Sequence, residues 1–89
     1  MKDEFYAQSL SAGRTSLTMC LTRMEYLTDM TKHILSQCAI HGVNESALGK
    51  LHEISREFDN WNLRATVQIG KNQYIEQLRK IEKEEEAAK

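Results

Sequence analysis

The chain reads as all-α, and three observations carry that reading. Apolar residues of its second half recur in steps of three and four, at Leu48, Leu51, Ile54, Phe58, Trp61, Ala65 and Ile69, then at Ile75, Leu78 and Ile81. Such steps stack side chains on one stripe of a helix. The 89 residues contain no proline and only four glycines, whereas sheet domains need turn residues every ~8–12 positions. One compact turn, His41-Gly42-Val43-Asn44, separates two long periodic segments. The predicted architecture is an antiparallel helical hairpin that assembles into a helical-bundle oligomer.

Residues 1–13 open with a weak apolar face made by Phe5, Tyr6 and Leu10. Ser9, Ser11 and Gly13 suit the end of a short helix, and glycine inside a helix costs up to about 1 kcal/mol relative to alanine. The expectation is a weakly ordered stretch or a short extra N-terminal helix. The first long helix is predicted over 15–41. Leu17, Cys20 or Leu21, Met24, Leu27, Ile34 and Cys38 form its stripe, widened by Met30, Leu35 and Ile40 and interrupted by Thr31. The opposite face carries Thr18, Thr22, Arg23, Asp29 and Lys32.

Residues 42–44 are the predicted turn. Gly42 suits the left-handed position that ends a helix, and the Asn44 side chain can accept backbone N–H groups of the next one. His41 falls in a last turn, where a cation is favoured. So short a connection makes the two helices antiparallel neighbours. The second helix is predicted over 45–85, with a kink or break near Gly70, where Val67 and Ile69 alternate ahead of Gly70-Lys71-Asn72. Residues 86–89 are expected to fray, because Glu84, Glu85 and Glu86 oppose the helix dipole at a C-terminus.

Eighty-nine residues make a single domain, 1–89. A chain this short buries only about 60–65% of its unfolded surface. Burial stabilises by about 25 cal/mol per Å² of apolar surface, against an ordering cost near 1.5 kcal/mol per residue, which leaves small chains close to zero alone. The stripes are also wider than one partner helix covers, so self-association as a dimer or higher oligomer is expected.

The net charge of −1 makes nucleic acid an unexpected partner, since such binders are usually basic. A helix-turn-helix spacing is not evident either. The chain lacks the ~20-residue apolar run of a membrane span, and Met-Lys-Asp-Glu at its start is no signal peptide. The expectation is a cytoplasmic protein. Cys20 and Cys38 lie 18 residues apart on one predicted helix, roughly 27 Å. Bridging them would break that helix, so reduced thiols are expected.

Candidate chemistry is sparse. His33, Cys38, His41 and His52 are zinc-type ligands, but no C-x-x-C or H-x-x-x-H pair occurs, so no metal or other cofactor is expected. Cys38 with His41 or His52 and Glu45 or Glu53 has the residue types of a nucleophile, base and orienting group. A bare hairpin rarely supplies the concave pocket they need, and no enzyme is expected. Phosphate-binding glycine loops are absent, and Gly70-Lys71 is a lone dipeptide.

Two binding sets remain. Met24, Leu27, Phe58 and Trp61 are the candidate partner-binding residues, because interface energy concentrates in aromatic and aliphatic anchors and methionine suits adaptable surfaces. Arg23, Arg64 and Lys71, with Tyr74, are the candidate set for a small anionic ligand such as a nucleotide. None of the three cations has an acidic residue three or four positions away, and arginine with aromatic groups stacks on and pairs with bases and phosphates. Arg14 shares that lack of a local partner. Ser11, Thr15, Thr18 and Thr22 form a hydroxyl stripe beside them. The leading functional expectation is a non-enzymatic interaction protein, an adaptor, chaperone or inhibitor that covers another protein's surface. The alternative is an oligomer that sequesters an anionic ligand between subunits.

Overall fold

The computed structural model describes residues 2–88 as two helices, α1 over Lys2–His41 and α2 over Glu45–Ala88. They lie side by side in a rod of 71 × 14 × 14 Å. Its radius of gyration is 20.2 Å, against about 12 Å for a compact domain of this length.

The turn forms as its residues dictate. Gly42 takes φ 85°, the left-handed conformation that favours glycine, and its N–H donates to the Cys38 carbonyl at 2.8 Å. Asn44 caps α2: its Oδ1 accepts the Ala47 N–H at 2.7 Å, and its carbonyl accepts the Leu48 N–H at 3.1 Å.

α1 has no separate first segment. It runs unbroken through Gly13, so the expected weakly ordered stretch or short extra helix is a continuous part of α1, apart from Met1, which lies outside the described residues. The reason is packing. Gly13 is buried, and a Cβ built on it would fall inside the Asn72 side-chain amide, 2.8 Å from Cγ. Glycine here is a notch for a neighbouring helix rather than a breaker. α2 likewise carries its helix through Gly70 without a break, since a glycine with open space around it costs helix propensity but removes no hydrogen bond. Helix extends over 86–88, the stretch expected to fray, while Lys89 lies outside the described residues.

The seam follows a strict seven-residue repeat. On α1 it runs Leu10, Gly13, Leu17, Cys20, Met24, Leu27, Thr31, Ile34 and Cys38; on α2, Ala47, Leu51, Ile54, Phe58, Trp61, Ala65, Gln68, Asn72 and Ile75. All are buried or half-buried, and steps of three and four in alternation are the mark of a coiled-coil seam. The deepest are Leu27 at 1% exposure, Cys20 at 3%, Leu10 at 6% and Ile54 at 7%. Three predicted stripe positions are off by one residue: Ala47, Gln68 and Glu82 are half-buried, while Leu48, Ile69 and Ile81 are exposed. Leu21 is exposed and Cys20 takes the seam. Helical phase, not hydrophobicity, sets these positions once the flanking layers are locked.

The open end is tied by charge. Arg79 forks onto Asp3, Nε to Oδ1 at 2.6 Å and Nη2 to Oδ2 at 3.2 Å. Lys83 approaches the same carboxylate at 4.0 Å, and Lys2 meets Glu82 at 3.6 Å. These pairs bring the start of α1 against the end of α2, where the run of glutamates would otherwise leave the helix unsupported.

Candidate binding flank

A rod of two helices has two flanks beside its seam, and here they differ. On one flank, α1 presents Phe5, Met19, Tyr26 and Ile40, all at the same position of the seven-residue repeat, and α2 presents Val67, Tyr74 and Ile81 at its equivalent position. All seven are about half exposed or more. Grooves between the helices open on this side. One is lined by Met19, Trp61, Arg64, Val67, Gln68 and Lys71. Another, nearer the turn, has Tyr26, Met30, His33, Lys50 and Glu53 on its walls. Among the described residues, the opposite flank exposes Leu21, Leu35, Leu48 and Ile69 as its large apolar side chains. There, Ser11, Thr18, Glu25, Lys32, His52, Asp59 and Thr66 follow the repeat instead.

The sequence-derived partner set falls largely inside the seam. Leu27 is fully buried within the hairpin itself, and Met24, Phe58 and Trp61 are half-buried in it. Their apolar area serves the contact between α1 and α2, so Leu27 is no partner-facing anchor. Met19, Tyr26 and Val67, which do face outward, lie outside both candidate sets read at steps of three and four, and Tyr74 belongs to the ligand set alone. A search at steps of seven would have found them, because it isolates one face beside the seam.

The ligand set divides. Arg23 is committed elsewhere, with both Nε and Nη2 donating to Glu57 Oε1 at 2.9 and 2.6 Å. This fork, helped by the positive charge, holds the Glu57 carboxyl below its ordinary range. Arg23 also lies 5.1 Å from the Tyr26 ring centre. Its partner is 34 residues away, which no local scan detects. Arg64 and Lys71 do come together on one groove beside Trp61. The Arg64 guanidinium sits 4.9 Å from the Trp61 ring centre, a cation–π distance. Among the described residues neither cation makes an ion pair. Tyr74 is 63% exposed on the same flank and lies outside the lining of that groove.

The hydroxyl stripe is spent locally. Thr15, Thr18 and Thr22 donate to the carbonyls of Ser11, Arg14 and Thr18, at 3.2, 3.0 and 3.0 Å. Such back-bonding is what exposed threonines do on a helix. His33, Cys38 and His41 line a groove at the turn that His52 does not share. Among the described residues no group of three or more His, Cys, Asp or Glu side chains could hold a metal ion. Both cysteines are free thiols, and no helix is long and apolar enough to cross a membrane.

At the open end, Arg79 holds the Asp3 carboxyl below its ordinary range through its forked hydrogen bonds. Burial and then the Glu82 carboxylate push the Tyr6 hydroxyl up. Both groups line a groove at the open end with Lys2, Arg79, Glu82, Lys83 and Glu86, and both shifts follow from structural ties. Compared with known proteins, the chain matches no protein-family model, no curated protein and no solved structure.

Proposed function

We propose that this chain is a non-enzymatic interaction protein that acts by laying its apolar flank on the surface of a partner protein, as an adaptor, chaperone or inhibitor. The observation that carries this is the one-sided placement of Met19, Tyr26, Val67 and Tyr74, each about half exposed or more. Contiguous apolar surface rimmed by charge marks an interaction site, and aromatic and methionine side chains are the anchors interfaces favour. The reading places the protein in the cytoplasm, with Cys20 and Cys38 reduced. The test is capture of a partner by the tagged protein, compared with Tyr26→Glu and with the opposite-flank Leu21→Glu. Binding lost in the first and kept in the second supports the reading. Equal binding by all three ends it.

A second reading has its own observation: Arg64 and Lys71 share a groove with Trp61 and meet no carboxylate among the described residues. A planar anionic ligand such as a nucleotide would stack on the ring and pair with the cations. A ligand at 100 times its Kd adds about 2.7 kcal/mol, a shift of several degrees in a domain this size. Thermal melts against a nucleotide panel, repeated with Arg64→Ala and Lys71→Ala, decide it. A shift abolished by either variant establishes the ligand; flat melts remove it.

A further inference from the structure

We infer that the flank bearing Met19, Tyr26 and Val67 is a self-association surface, on which a second copy of this chain docks to close a four-helix bundle. This goes beyond the partner reading and stands apart from it. Where both hold, a partner must compete with the second copy for the same residues.

Surface area makes the first argument. The hairpin exposes 7139 Å², whereas a globular monomer of 10.3 kDa exposes about 5,400 Å². The surplus, roughly 1,700 Å² per chain, exceeds the ~800 Å² each side of a standard interface removes. Geometry makes the second. The exposed apolar residues of this flank keep the seven-residue phase of the seam, at Phe5, Met19, Tyr26 and Ile40 on α1 and at Val67, Tyr74 and Ile81 over the open half of α2. A second hairpin therefore meets apolar side chains in phase with the seam, as helices of a bundle require.

Charge makes the third argument. The flank carries Arg23, Lys50, Glu53 and Glu57 toward the turn, with Glu57 already taken by Arg23, and Arg64 and Lys71 toward the open end. A two-fold axis across the rod sets those two cations, which make no ion pair among the described residues, over the half of the other copy that holds Glu53. The same patch thus complements itself, as an isologous interface must. The opposite flank has fewer large apolar residues, and its Thr28 and Thr66 hydroxyls donate to carbonyls of their own helices.

Sedimentation equilibrium at low micromolar concentration tests this. The parent chain should show twice its own mass. The pair Tyr26→Glu with Val67→Glu should halve that mass with the helical circular dichroism kept, since neither residue is buried in the hairpin. Leu21→Glu with Ile69→Glu, on the other flank, should leave the doubled mass unchanged. Should the first pair fail to fold, Tyr74→Glu alone replaces it with the same expectation. A folded parent monomer, whatever other protein it then binds, overturns the proposal. So does a mass above two chains, or dissociation caused only by the Leu21 and Ile69 changes.

Discussion

The two halves of the hairpin are held together by different physics. Toward the turn, the seam is aliphatic: Leu27 and Ile54 are buried, with Ile34 and Leu51 half-buried beside them. Toward the open end it is polar and notched. Gly13 receives Asn72, the Gln68 Nε2 donates to Asn72 Oδ1 at 2.9 Å, and Asp3 takes the Arg79 fork. Apolar layers supply energy but tolerate sliding, because one leucine layer fits another. An amide facing a glycine, and a forked ion pair, fit at one register only. Leu10 and Cys20 are buried in the open half as Leu27 and Ile54 are in the turn half, so apolar burial stabilises both, and the open half adds the contacts that specify which residues meet.

The largest effect should come from the aliphatic half. Leu27→Ala removes a side chain that is 1% exposed and should cost about 2–5 kcal/mol, read from urea midpoints. A cost below about 1 kcal/mol would mean the energy lies elsewhere.

Next comes the notch. Gly13→Ala forces the end of the Asn72 side chain to move away from its bond with Gln68, which should cancel much of the ~1 kcal/mol of helix propensity that alanine adds. The variant should gain less than Gly49→Ala or Gly70→Ala, and adding Asn72→Ala should recover part of the difference. Gly49→Ala and Gly70→Ala are the control, because nothing lies within 4 Å of either position. Both should stabilise, by up to about 1 kcal/mol. If all three substitutions stabilise alike, the Gly13 notch is not a packing feature.

At the turn, Gly42→Ala must place alanine at φ 85° and should cost about 1 kcal/mol. Its melting temperature should drop without a change in the far-UV spectrum.

The smallest effect is acid sensitivity. Asp3 and Glu57 have folded-state pKa values lowered by Arg79 and Arg23. A lowered carboxylate pKa contributes stability above its unfolded value and loses it as pH falls through the folded one. Both carboxylates are exposed enough for solvent and salt to weaken the pairs. The parent should therefore lose a little stability below the ordinary carboxylate range. Asp3→Asn with Glu57→Gln should flatten that part of the pH–melting curve, and an unchanged slope would deny both pairs a role.

The helical class and the turn were legible because their causes are local. Gly42 and Asn44 act on neighbours within four residues, and periodic leucines and isoleucines announce a helix wherever they occur. Seam membership was less legible. Ala47, Gln68 and Asn72 hold core positions without being hydrophobic, while Leu48 and Ile69 look like core and face outward. Reading apolarity alone therefore slips by one residue where the seam turns small or polar.

The sequence by itself determined two long helices, their antiparallel meeting at residues 42–44 and an apolar stripe in steps of three and four along each. Only the tertiary structure decided that Gly13 is a notch, that Arg23 belongs to Glu57, and that Leu27 is consumed by the hairpin. The physical reason is range. Propensity, capping and turn chemistry act over a few residues, whereas a cavity, a cross-helix ion pair and a buried leucine exist only once residues 30 to 80 positions apart are brought together.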